Sequence, residues 1–136
     1  MDTVTFAVNF EEVKDSGKRE EFDTGSLRDT RIGKGRFDLI SPFVLERDAK
    51  HLENGARKYG DRNWEKGQPL SRYYDSAMRH MNKYMMGYRD EDHLAAARWN
   101  LAALMHTEYM ISIGRLPEEL DDLPCWGPGK FGGNEA

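Results

Sequence analysis

Three stretches between residues 41 and 114 repeat apolar residues at helical spacing, and that periodicity limits the fold more than anything else in the chain. The first opens at Ser41-Pro42, a capping hydroxyl followed by a proline in the first turn, where its missing N–H is not needed. Leu45, Ala49, Leu52, Ala56 and Tyr59 then fall on one stripe, and Gly60 is a natural stop. Ser71 is expected to cap a second helix, with Tyr74, Ala77, Met78, Met81, Tyr84 and Met85 as its buried face and Gly87 at its end. Asp90-Glu91-Asp92 opens a third, running to about Ile113 before Gly114. Its stripe is Leu94, Ala97, Leu101, Leu104 and Met105, and Ala95, Ala96, Ala102 and Ala103 allow close approach of a neighbour. Three long amphipathic helices with short links predict an all-α bundle.

The flanks are different. Val4, Phe6, Val8 and Phe10 alternate with Thr5, Ala7 and Asn9, a period-2 pattern that reads as a strand or extended arm. Residues 11–41 are charged and Gly-rich, hence mostly loop. The expected organisation is an N-terminal extended arm over 1–23, an all-α domain over 24–115 and an irregular C-terminal tail over 116–136. In the tail, Leu120, Leu123 and Trp126 are expected to dock loosely. At 136 residues and 38% hydrophobic, the core is thin, so an oligomer interface would help to complete it. The balance of 20 Lys+Arg against 24 Asp+Glu, a net charge of -4, argues against sequence-blind DNA binding. No apolar run approaches the ~18 residues of a membrane span. The start, Met1-Asp2-Thr3-Val4, has no signal-peptide pattern, and the single Cys125 fits a reducing cytosol.

Acidic residues gather where helices could share them. Glu46 and Glu53 lie on one face of the first helix, Asp75 with His80 and Lys83 on the second, and Glu91, Asp92 and His93 at the start of the third. Converging at one rim, the carboxylates would suit Mg²⁺ or Mn²⁺, which take hard oxygen ligands. The competing reading is plain helix chemistry. Glu46 with Lys50, Glu53 with Arg57 and Asp75 with Arg79 are i, i+4 pairs that any solvated helix carries, and the acids at 90–92 complement a helix N-terminus. No His-Asp doublet is present, so His80 and His93 read as hydrogen-bonding or phosphate-contacting groups rather than ligands, with a structural role equally open. His51 and His106 read as structural. Gly33-Lys34-Gly35-Arg36 is a candidate phosphate loop without P-loop spacing. Trp64, flanked by Arg62 and Asn63, is the better candidate for stacking on a base; Trp99, beside an alanine run, reads as core.

Several long runs carry a family likeness. They are Thr24-Gly25-Ser26-Leu27-Arg28-Asp29 with Gly33 to Leu39, Glu53-Asn54-Gly55-Ala56-Arg57-Lys58-Tyr59-Gly60-Asp61-Arg62-Asn63-Trp64-Glu65-Lys66-Gly67, Asp75-Ser76-Ala77-Met78-Arg79-His80, and Asp90 through Asn100. The chain resembles the phage-encoded dATP/dGTP diphosphohydrolases, MazG-like enzymes of phages that replace adenine with 2-aminoadenine, over residues 24 to about 124. The resemblance implies an all-α MazG-like pyrophosphohydrolase bundle, divalent-metal dependence and assembly into dimers or tetramers. It implies conversion of (d)GTP to (d)GMP and pyrophosphate. One departure stands out: the MazG pattern of Glu-Glu-x-x-Glu on one helix and Glu-x-x-Asp on the next is missing from all three helical stretches.

Residues and resemblance together give a metal-dependent nucleoside triphosphate pyrophosphohydrolase in the host cytoplasm. Glu53, Asp75, Glu91 and Asp92 are the expected ligands of Mg²⁺ or Mn²⁺, with Glu46 in reserve. Lys58, Arg62, Arg79, His80 and Lys83 are expected on phosphate oxygens. Asn63, Trp64 and Asn100 complete the substrate-binding set. The expected partners are a purine nucleoside triphosphate and further copies of the chain, with no nucleic acid and no membrane. The alternative is a non-catalytic phage protein that binds nucleotides or a host protein through its helical surface.

Overall fold

The computed structural model describes residues 14–128. The expected extended arm of Val4 to Phe10 lies outside them. The chain divides into two compact units after Leu39, and the boundary drawn at residue 23 falls in a turn of the first.

That first unit contains a structure the sequence reading missed. Arg19–Glu21 (β1) and Leu27–Asp29 (β2) form an antiparallel hairpin, with Arg19 opposite Asp29 and Glu20 opposite Arg28. Cross-strand charges of opposite sign stabilise such a pair. Asp29 gathers the unit: Lys34 Nζ lies 2.7 Å from it, Arg19 3.8 Å, and the Ser16 N–H donates to it at 3.3 Å. The Lys34 ammonium and then the Ser16 hydroxyl hold its carboxyl far below the ordinary aspartate range.

The second unit is helical: α1 (Pro42–Tyr59), α2 (Leu70–Met85) and α3 (His93–Ser112). All-α describes this unit, with the small hairpin as an addition to it. Ser41 caps α1 as expected, its hydroxyl accepting the Val44 N–H at 3.4 Å, and Gly60 closes it at φ 91°. Asp92 caps α3 by accepting the Ala95 N–H at 3.0 Å. Ser71 is not a cap. Pro69 holds that position, and Ser71, one residue inside α2, donates its N–H to Asp122 Oδ1 at 2.9 Å and pairs its hydroxyl with the same carboxylate.

The buried faces are rotated from the expected stripes. In α2 they are Leu70, Tyr73 and Ala77, while Tyr74, Met78, Met81, Tyr84 and Met85 are exposed. In α3 they are His93, Ala95, Ala96, Ala97, Asn100, Ala103, Thr107 and Ile111, whereas Leu101 and Met105 are exposed. Small residues let α2 and α3 approach closely, and large apolar ones are left outside. Helix α1 has no buried residue; Leu45, Leu52 and Tyr59 are exposed. It turns the more polar Asp48 and His51 to α3, through the Arg98–Asp48 pair (2.9 Å) and His51 against Trp99 (5.5 Å between rings). In the tail, Leu116, Leu120 and Leu123 pack on the core as Leu120 and Leu123 were expected to, but Trp126, which was expected to dock with them, is 92% exposed among the described residues.

Candidate active site

A cleft of about 950 Å³ is lined by the C-terminal half of α1, the connection 60–69, one face of α2 and the first turns of α3. Arg72, Asp75, Ser76, Arg79 and His80 recur at i, i+3/i+4 and i+7/i+8, so one side of α2 supplies them all. From α1 come His51 and Lys58, and from α3 Trp99 and Asn100. Between α1 and α2 runs a 3₁₀ turn, Asn63–Lys66. Arg62 before it sits at φ 59°, a left-handed conformation that few non-glycine residues adopt. Its guanidinium pairs with Glu65 at 2.7 Å. Such outliers concentrate at functional sites. Gly67, at φ 102°, ends the turn where a Cβ would lie 2.9 Å from Leu120 and 3.1 Å from Leu116. Glycine is needed there on both counts.

Lys58, Arg62, Asn63, Trp64, Asp75, Arg79, His80, Glu91 and Asn100, all expected at the site, line this one cleft. Glu46, Glu53, Lys83 and Asp92 do not. Glu46 pairs with Lys50 at 3.3 Å and Glu53 with Arg57 at 3.4 Å, both exposed. Asp92 is occupied as the α3 cap and by Arg47 at 2.6 Å. Asp75 is paired with Arg79. The all-carboxylate ligand set is therefore not assembled. Lys34 and Arg36 of the candidate phosphate loop are likewise taken up, by Asp29 and Asp38.

Additional lining comes from His51, Gln68, Arg72 and Trp99. Arg72 could have been found from its helical phase with Asp75 and Arg79. Trp99 is the hub of an aromatic cluster, with Trp64 edge-on at 6.2 Å, Tyr73 edge-on at 6.2 Å and His51 at 5.5 Å. Trp64 also meets His106 at 4.9 Å. The indole Nε1–H of Trp99 is buried without a partner among the described residues. An orphaned donor of this kind costs about 1–3 kcal/mol, so a ligand acceptor that reached it would recover that energy.

Among the described residues one group places metal-ligating atoms within reach of a single ion: His80, Glu91 and His93. Their contacts are His80 Nδ1 to His93 Nδ1 at 2.9 Å, His80 Nδ1 to Glu91 at 3.6 Å and His93 Nδ1 to Glu91 at 4.0 Å. The His93 side chain is wholly buried, and its Nε2 donates to Asp90 at 2.8 Å. Burial holds His80 below the ordinary histidine value, against the pull of Glu91.

A family model described as dATP/dGTP diphosphohydrolase, N-terminal, matches residues 24–112. The chain belongs to this family. It is a hydrolase acting on nucleoside triphosphates, and the alternative of a non-catalytic binding protein is set aside. The match runs through every cleft-lining residue of the diphosphohydrolase chain. Comparison with curated proteins and with solved structures finds no match. No helix among the described residues is long and apolar enough to cross a membrane.

Proposed function

We propose that this diphosphohydrolase cleaves dGTP and GTP to the monophosphate and pyrophosphate, the monophosphate feeding phage 2-aminoadenine nucleotide synthesis in the host cytoplasm. The supporting observation is the composition of the cleft, which joins Lys58, Arg62 and Arg79 to an aromatic wall of Trp64 and Trp99 in a space of about 950 Å³. The cations bind phosphate oxygens through charge-assisted hydrogen bonds. The indoles offer ring surface to one base, where stacking is worth roughly 1–3 kcal/mol. Purine choice falls to groups on the base edge. Asn63, Asn100 and the unpartnered Trp99 N–H are the donors and acceptors at hand, and guanine O6 and N7 are acceptors that suit an indole N–H.

The reaction depends on a divalent ion, Mg²⁺ or Mn²⁺, which when bound would neutralise charge on the phosphates and acidify water. Asp75 and Glu91 are the carboxylates of the cleft that would turn toward it, Asp75 by releasing Arg79 to the phosphates. Exposed apolar faces on α1 and α2 support assembly into a dimer or tetramer.

Rates on the eight common triphosphates, with phosphate and pyrophosphate measured separately, test the reading. The expected outcome is pyrophosphate as product, purines well ahead of pyrimidines, no turnover in chelator, and a rise in KM for purines in Trp64→Ala. Orthophosphate as product, or dCTP and dTTP turned over as fast as dGTP, overturns it.

A further inference from the structure

Hard-oxygen chemistry does not describe the cluster at the junction of α2 and α3. We propose that His80, Glu91 and His93 form a divalent-cation site with two nitrogen donors and one carboxylate, selective for transition ions such as Mn²⁺, Co²⁺ or Zn²⁺ over Mg²⁺. The binding claim stands on geometry alone; its use in catalysis rests on the hydrolase reading above.

Three features carry it. The first is spacing. Two donors about 2.1 Å from one ion and at right angles to each other are about 3.0 Å apart, and His80 Nδ1 and His93 Nδ1 are 2.9 Å apart. A hydrogen bond between the rings would give the same distance and use the same lone pair, so the carboxylate, the third feature, decides. The second is orientation of the lone pair. Asp90 accepts from Nε2 of the wholly buried His93, which fixes that ring with its proton on Nε2 and its lone pair on Nδ1, toward His80. A carboxylate behind a ligating histidine is the usual outer-shell arrangement of imidazole metal sites. The third is the carboxylate in front. Glu91 is 3.6 Å from His80 Nδ1 and has no Arg or Lys ion pair among the described residues, unlike Glu46, Glu53, Asp75 and Asp92. A pair of hydrogen-bonded imidazoles has no need of it.

Selectivity follows from donor type. Imidazole nitrogen favours later first-row ions, while Mg²⁺ prefers oxygen and keeps its waters. His80 and Glu91 also line the cleft, so an ion held there faces the substrate space. The sequence reading gave both histidines hydrogen-bonding, phosphate-contacting or structural roles rather than ligation, and the proposal adds a ligand role to the hydrogen bonds they make.

Titration calorimetry of chelator-treated full-length protein, without nucleotide, tests the site with MnCl₂, CoCl₂ and MgCl₂ in turn. Expected is one Mn²⁺ or Co²⁺ per chain, bound at least tenfold more tightly than Mg²⁺, with the visible bands of a nitrogen-ligated Co²⁺ ion. His80→Asn, at a half-buried position, and Glu91→Gln, at an exposed one, should abolish that binding with the helical circular dichroism unchanged. Asp90→Asn should weaken it about 10–100-fold. Undiminished Co²⁺ binding in His80→Asn, or equal affinity for Mg²⁺, overturns the proposal. Triphosphate hydrolysis without Mn²⁺ or Co²⁺ binding would sink this site and leave the hydrolase reading intact; metal binding without hydrolysis would do the reverse.

Discussion

At the scale of residues, Asp92 separates two roles that a carboxylate can play. It accepts the Ala95 N–H as a cap and pairs with Arg47 as an ion. Asp92→Asn keeps the cap and loses an ion pair whose members are about half exposed, so it should lower stability by about 0–1 kcal/mol. Asp92→Ala loses both and should fall about 1 kcal/mol further in urea unfolding. Equal losses for the two would mean that the charge alone matters. His51 gives a pH signature. Burial holds its imidazole below the ordinary 6.5, despite the Asp92 and Glu91 carboxylates. The unfolded chain then takes up a proton that the folded chain refuses, so stability is complete above about pH 6.5 and declines below it. Melting temperatures at pH 7.5, 6.5 and 5.5 should show that decline, and His51→Gln should flatten part of it. A variant that declines as steeply as the parent would count against the buried ring.

At the scale of elements, α1 is the outlier: an 18-residue helix with a clean apolar stripe and no buried residue. If that stripe is an interface, light scattering should give a dimer or tetramer for the parent and a monomer for Leu52→Asp. A parent that is monomeric at about ten micromolar would sink the assignment. The same stripe shows what was legible from sequence. The cap at Ser41, the stop at Gly60 and the acidic opening of α3 at 90–92 could be read because they act on their own neighbours, whereas Ser71 is not a cap. The buried faces could not. Hydropathy favours Met78, Met81, Leu101 and Met105, but a close α2–α3 approach selects Ala77, Ala96, Ala103 and Thr107, which carry little hydrophobic signal. The cleft was visible where one segment supplies it, as with Lys58 to Trp64. The His80–His93 pair was not, because it depends on how two helices are phased across the turn between them. The hairpin escaped notice because its strands are three residues long and charged on both faces.

At the scale of the whole molecule, a net charge of -4 gives a phosphate-binding cleft on an acidic chain. Local cations can hold one triphosphate, but a duplex needs a broad positive surface. No gel shift is expected with sub-micromolar protein in about 0.15 M salt, and a clear shift would refute this. The tail has a different reach. Leu116 and Leu120 sit against Gly67, and Asp122 holds the start of α2, so the last described quarter of the chain braces the connection that carries Arg62, Asn63 and Trp64. On the ribosome the brace arrives late. At about 5–20 residues per second, Asp122 is made roughly 3–11 s after Gly67. Only after Ser112 have all three helices been made, and until Asp122 follows the mouth of the cleft is still unbuttressed, so competence for nucleotide waits on the tail, and a frameshift or premature stop just beyond Ser112 would release a helical but substrate-blind protein.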